Sequence, residues 1–371
     1  MRQEIIERQR TIMAEHGLDA LVAISPENFA WTCGFVVPSQ PILRWRHAMV
    51  VVKADGTHAI VCVDMEETTV RNRLPGKEVR VWDEFTDSAM ACLAALLSDM
   101  GLFSARIGIE MDYLPAGDFA ALQRALPQAT FSAAEQLFAR SRQIKTAEEI
   151  ALLLRLSRIA DAAITDAYGA VAAGSTEMDI AAAMTRGIYA QGADQFRLMI
   201  VATGERSVFP NVGPTERKLQ RGDVCRVEIF SMLNGYHAGV CRTAVVQSAP
   251  PHAERIWANL VSCKHMILHM IKPGASSRAI YQAFLRKLSE LDLPPISFVG
   301  HGIGLHLHEE PYLGKYSDTP LEAGMVLGIE PLVYRTPYGF GMQNKDMALV
   351  TPTGSQLLSD YADTDKLLVV R

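Results

Sequence analysis

The chain has no apolar run of about 18 residues, the length needed to cross a bilayer as a helix, and no low-complexity or short-repeat segment. Cysteine is sparse: six residues at positions 33, 62, 92, 225, 241 and 263, without CxxC spacing. That pattern argues against a disulfide or zinc framework and for reduced thiols in a cytoplasmic protein. Neither charge sign dominates: a net charge of −5 leaves no electrostatic footprint for nucleic acid or an anionic membrane. The first residues lack the apolar core and small-residue cleavage site of a signal peptide and read instead as an amphipathic helix. What is present is 49% hydrophobic and 21% charged residues, the balance of a soluble globular protein. At 371 residues the chain exceeds one ordinary core, so two domains are expected.

Residues 1–16 read as a helix, 21–24 as a short buried strand, and 48–53 with 58–63 as a hairpin. Strand-like runs at 79–82 and 106–110 and helical patterns at 86–100 and 116–126 complete an α/β unit ending near residue 140. Thr146 and Glu149 then form a capping box that opens a long amphipathic helix, and Gly174 stops it near 172. Strands dominate from 198, interrupted by helices near 252–270 and 276–291. The domain boundary falls within 140–147, giving domains of 1–140 and 141–371.

Two hairpins carry the chemistry. Asn234-Gly235 is a strong two-residue turn signal between strands 223–233 and 236–247. Counting back from it puts Glu228 opposite Cys241 and places Glu228, Phe230 and Met232 on one face with His237, Gly239 and Cys241. In the second hairpin, residues 325–334 and 342–350 flank Thr336-Pro337-Tyr338-Gly339, and symmetric pairing sets Lys345 opposite Glu330. A carboxylate inside that apolar strand needs a cation. A buried ion pair with no chemistry meets the same need. Between the hairpins runs Gly300-His301-Gly302-Ile303-Gly304-Leu305-His306-Leu307-His308, whose histidine density and glycine spacing mark His301 and His308 as functional and His306 as peripheral.

These residues resemble the creatinase/aminopeptidase P/prolidase superfamily (M24), which has the pita-bread fold. The match runs from Arg142-Gln143-Ile144-Lys145-Thr146 through Gly222-Asp223, Asn234-Gly235-Tyr236, Arg242-Thr243, Gly300 to Gly304, His308-Glu309 and Ile329-Glu330-Pro331 to Asp346. Less distinctively, Gly17 to Leu21 and Ser25 to Asn28 resemble its N-terminal domain. The resemblance implies an α/β (α+β) chain: a creatinase-like N-terminal domain, then a pita-bread catalytic domain. Its metallopeptidases hold two divalent ions on Asp, Asp, His, Glu and Glu. Those places fall here on Glu228, Gly239, His301, Glu330 and Lys345. A glycine offers no side-chain donor and an ammonium repels a cation, so a dinuclear cluster is not expected. No cofactor is expected; a single ion, if any, would use Glu228, His301 and Glu330.

The resemblance therefore points to the metal-free branch, with creatinase and ectoine hydrolase. Creatine itself is excluded as substrate, because the creatinase catalytic histidine aligns with Asn211 and its substrate-binding glutamates with Cys241 and Asn344. The expectation is a metal-independent hydrolase of a C–N bond in a small amide, amidine or cyclic amidine. Glu228 or Glu330 would orient a cationic substrate or act as general base toward water, His301 and His308 would shuttle the proton to the leaving nitrogen, and Lys345 would stabilise developing negative charge. Asn211, His237, Cys241 and Asn344 would contact the small-molecule substrate, and Cys241 would be a nucleophile if His237 or Lys345 lowered its pKa. Dimers are usual in the superfamily, so a homodimer is expected, with Trp45 and Arg46 of the segment Arg44-Trp45-Arg46-His47 as trans contributors. The alternatives are an Xaa-Pro peptidase-like metalloenzyme with a reduced, mononuclear site, and a non-catalytic binding module.

Overall fold

The computed structural model describes residues 1–371, which divide into compact units of Met1–Ser141 and Arg142–Arg371. No helix is long and apolar enough to cross a membrane.

In the first unit a six-stranded mixed sheet runs in the order Val79–Trp82, His58–Val63, Met49–Lys53, Ala20–Ala23, Arg106–Ile109, Thr130–Ala133. The hairpin around Asp55-Gly56 pairs antiparallel, whereas the outer strands pair parallel. The core is aliphatic, with Val22, Val51 and Ile107 fully buried in the sheet and Leu93 and Leu97 on the helix Ala89–Asp99 that covers it. A helix not read from the sequence, Pro26–Cys33, follows that first strand. Ser25 caps it by accepting from the Asn28 backbone N–H, and Pro26 occupies the first turn, where its missing N–H costs nothing.

The second unit opens on the expected capping box: Thr146 accepts from the Glu149 N–H and Glu149 from the Thr146 N–H, starting the helix Ala147–Ala170. A four-stranded sheet sets Leu368–Val370, Tyr236–Val246, Val224–Leu233 and Gln195–Thr203 side by side. A five-stranded sheet orders Glu309–Gly314, Phe298–Gly302, Val326–Ile329, Asp346–Val350 and Ser355–Leu357. The sheets are joined where Cys241 and Lys345 exchange backbone hydrogen bonds of 3.2 and 3.3 Å. Beside that joint the buried Arg242 guanidinium holds Asp161 at 2.7 Å, Asp346 at 2.9 Å and the Lys345 carbonyl at 2.8 Å. Two carboxylates and a carbonyl offset the charge of this buried guanidinium. It fixes the backbone from which Lys345 projects.

Candidate functional site

The site is assembled by register. In the hairpin closed by Asn234-Gly235, Leu233 pairs with Tyr236, Met232 with His237, Phe230 with Gly239 and Glu228 with Cys241. In the second hairpin Val333 pairs with Met342, Leu332 with Gln343 and Ile329 with Asp346, so Lys345 lies at the level of Glu330. The ladder breaks between these pairs. His301 stands opposite Gly328, where a Cβ would lie 3.3 Å from the His301 ring and 3.4 Å from the Lys345 stem. Glycine at 328 thus lets an imidazole and an ammonium approach one carboxylate.

Lys345 Nζ sits 2.9 Å from Glu228 Oε1 and 3.5 Å from Glu330 Oε2. All three side chains are buried. The Gln343 amide donates to both carboxylates, at 3.2 Å to Glu228 and 2.9 Å to Glu330, while its own oxygen accepts from Arg226 at 3.0 Å. Gln343 was not expected here. It lies two residues from Lys345 on the same strand face, a period-two signal available in the sequence.

Burial alone would lower the Lys345 pKa, but Glu228 and Glu330 outweigh it and raise it above the ordinary lysine value. Burial pushes Glu330 up, yet Lys345 first and His301 next bring it down to about 2. Glu330 is therefore held as an anion at neutral pH by Lys345 and His301.

Gly239 leaves no gap for a ligand. A Cβ built there would fall within the Phe230 ring, which packs across the vacated place with Lys345 Nζ 4.6 Å from its centroid. A metal pair of the kind the superfamily resemblance implies does not fit: one ligand position is filled by a benzyl group and another carries an ammonium already shared by the remaining carboxylates.

His301 is fully buried and stacks on His308 with ring centroids 3.7 Å apart and planes inclined 16°. His308 as a whole is exposed, but its ring is poorly hydrated against His301; that desolvation, then His301 and Lys345, lower its pKa to about 3. Glu309 shapes the segment that brings His308 back. It accepts from the Leu305 and His306 N–H groups at 3.2 Å each and pairs with Lys145 at 2.9 Å and Arg142 at 3.3 Å. His306 and His308 thus lie on a folded-back loop, not on one face of a strand.

Other expected contacts are placed elsewhere. Cys241 is fully buried, and burial first, then Glu228, pushes its thiol well above the ordinary range, so the lowered pKa required of a nucleophile is absent. Asn344 is buried and turns its amide to the Thr364 carbonyl at 3.3 Å. His237 contacts the Gly304 carbonyl at 3.2 Å and is kept neutral by burial, with a pKa of about 4. Asn211 is exposed, after Phe209 and Pro210, whose carbonyls accept from Arg226. In the first unit Trp45 and Arg46 both donate to Glu84, at 3.1 and 2.9 Å.

Comparison with known proteins follows these features. Residues 151–352 match the model of metallopeptidase family M24 and residues 5–144 the creatinase/prolidase N-terminal domain. The chain is 29% identical to the Xaa-Pro dipeptidase of Pyrococcus furiosus over 59% of its own length and 63% of that protein's. It is 25% identical to a creatinase of Bacillus sp. over 95% of its length and 89% of the relative's. The solved Xaa-Pro dipeptidase from Bacillus anthracis superposes with a TM-score of 0.85 at 23% identity, covering 99% of each chain. This chain belongs to metallopeptidase family M24, a family of hydrolases, and carries a creatinase/prolidase N-terminal domain.

Proposed function

We propose that the protein hydrolyses a C–N amide bond in a small peptide-like substrate of the Xaa-Pro type, and that it does so without a dinuclear metal pair. The Xaa-Pro dipeptidase relatives support the substrate class and favour it over the amidine or cyclic amidine read from the sequence, for which the creatinase relative is the support. The second half rests on one observation: the Lys345 ammonium bridges Glu228 and Glu330 at 2.9 and 3.5 Å.

Lys345 keeps its proton because both carboxylates favour the charged form. It acts as a fixed positive charge toward which a carbonyl oxygen develops its negative charge during attack, the preorganised type of stabilisation. Glu330, held ionised, orients His301. His308, neutral and exposed, presents an imidazole to solvent beside His301.

The test is to assay purified protein against Xaa-Pro dipeptides, small amides and amidines, with metal content measured on the same sample. Turnover of an Xaa-Pro dipeptide with fewer than two ions per chain supports the reading. Turnover of amidines alone would replace the substrate class, and two ions per active chain would remove the role given to Lys345.

A further inference from the structure

We infer that the cavity beside Tyr334 and Arg335 is a subsite for an apolar residue bearing a free carboxylate, and that Arg335 recognises the anion. The inference rests on the peptidase reading and extends it, naming which end of the substrate is held and by what.

The cavity has a volume of about 290 Å³ and is lined by Val208 and Pro210, by Pro294 to Ile296 and by Leu332 to Arg335. Small-molecule sites run from about 300 to 1,000 Å³, so this one takes a residue-sized group rather than a long peptide. Its lining holds no carboxylate, and its single charge is the Arg335 guanidinium. Arg335 is exposed and makes no ion pair or hydrogen bond within the protein. Aliphatic and prolyl surface beside one unmatched guanidinium complements a small apolar group that carries a carboxylate, which a guanidinium fork binds through two parallel hydrogen bonds. In an Xaa-Pro substrate the residue that fits is the C-terminal prolyl one: its ring is apolar and its carboxylate is free.

Contacts already described tie this cavity to the carboxylate pair. Leu332 pairs with Gln343, whose amide donates to both Glu228 and Glu330. Arg226 is fully buried and has no carboxylate partner. It donates to the Gln343 oxygen at 3.0 Å and to the carbonyls of Ser207 and Pro210 at 3.2 and 3.0 Å. The loop that carries Val208 and Pro210 is thereby fixed to the strand that carries Glu228. The Arg226 guanidinium also lies 5.2 Å from the centroid of the Tyr334 ring, so a second positive charge stands against the same wall. After burial, Glu330 is the largest cause raising the Tyr334 phenol above its ordinary range, so this wall senses the site carboxylate.

The test uses the full chain, titrated by calorimetry with N-acetyl-L-proline and with N-acetyl-L-prolinamide, which keeps the ring and lacks the charge. The expected result is saturable binding of the acid, with the amide at least tenfold weaker. Arg335→Ala, at an exposed position, is expected to weaken the acid at least tenfold, to leave the amide unchanged and to keep the wild-type melting curve. Val208→Trp fills the cavity and is expected to weaken both probes. Equal affinity for acid and amide in the wild type, wild-type affinity for the acid in Arg335→Ala, or no saturable binding of either probe would overturn the assignment. Turnover is read separately. Binding of the acid without hydrolysis of any Xaa-Pro dipeptide counts against the peptidase reading alone, and hydrolysis with an unchanged KM in Arg335→Ala counts against the subsite alone.

Discussion

Replacing Lys345 with methionine removes a charge while keeping most of the side-chain volume. In the wild type the ammonium lies 2.9 Å from Glu228 and 3.5 Å from Glu330, all three groups being buried. Lys345→Met leaves two buried carboxylates facing each other, with the Gln343 amide as their shared donor. Removing one partner of a buried pair costs about 3–5 kcal/mol, a large share of a total stability of about 5–15 kcal/mol. For a unit of this size, with about 2–4 °C lost per kcal/mol, the melting temperature falls by roughly 6–20 °C. The double variant Glu228→Gln/Lys345→Met removes both charges of the shorter pair and the repulsion between the two carboxylates, and recovers part of the loss, Glu330 keeping His301 and the Gln343 amide as partners. Thermal denaturation at pH 7 followed by circular dichroism reads both. A Lys345→Met protein that melts within about 1 °C of wild type, or a double variant no more stable than the single, would refute the reasoning.

Gly239→Asp does not restore a metal ligand, because Phe230 occupies the space; overpacking lowers stability by about 1–3 kcal/mol, read by urea titration, and Phe230→Ala in the same chain relieves it. Glu309 has a folded pKa of about 2 because Lys145 and Arg142 outweigh burial, against an ordinary value of 4.5. A lowered folded pKa gives stability that is full above pH 4.5 and lost as pH falls toward about 2, worth roughly 3 kcal/mol at about 1.4 kcal/mol per unit. Lys145→Met should flatten that acid limb in melts recorded from neutral pH downward. Cys241, buried and with its thiol pushed up, stays unmodified by iodoacetamide in the native protein, and Cys241→Ala keeps its turnover; native alkylation at Cys241 read by mass spectrometry would contradict this.

The hairpin registers were legible because a two-residue Asn-Gly turn fixes the count: Glu228 faces Cys241, and Lys345 reaches Glu330 across the second hairpin. Gly239 and Lys345 could be recognised as sequence departures, but not what replaces the missing donor. Phe230 fills the place because it pairs directly with residue 239, a packing outcome that alternation alone does not specify. Asn344 turns toward Thr364 because it lies between Gln343 and Lys345 and so projects from the opposite face of the same segment. The His301–His308 stack escaped because the intervening segment is not extended. It folds back under a carboxylate whose cations, Arg142 and Lys145, lie more than 160 positions earlier in the sequence. Non-local charge pairs of this kind leave no periodic trace.

The central claim is that an internal ammonium, with the phenyl ring of Phe230, has taken the place of a metal pair on a metallopeptidase scaffold. Its most direct test is elemental analysis of the wild-type protein after equilibration with excess Mn²⁺ or Zn²⁺ and removal of free ion. The expected result is no more than one ion per chain; two tightly held ions per chain would contradict it.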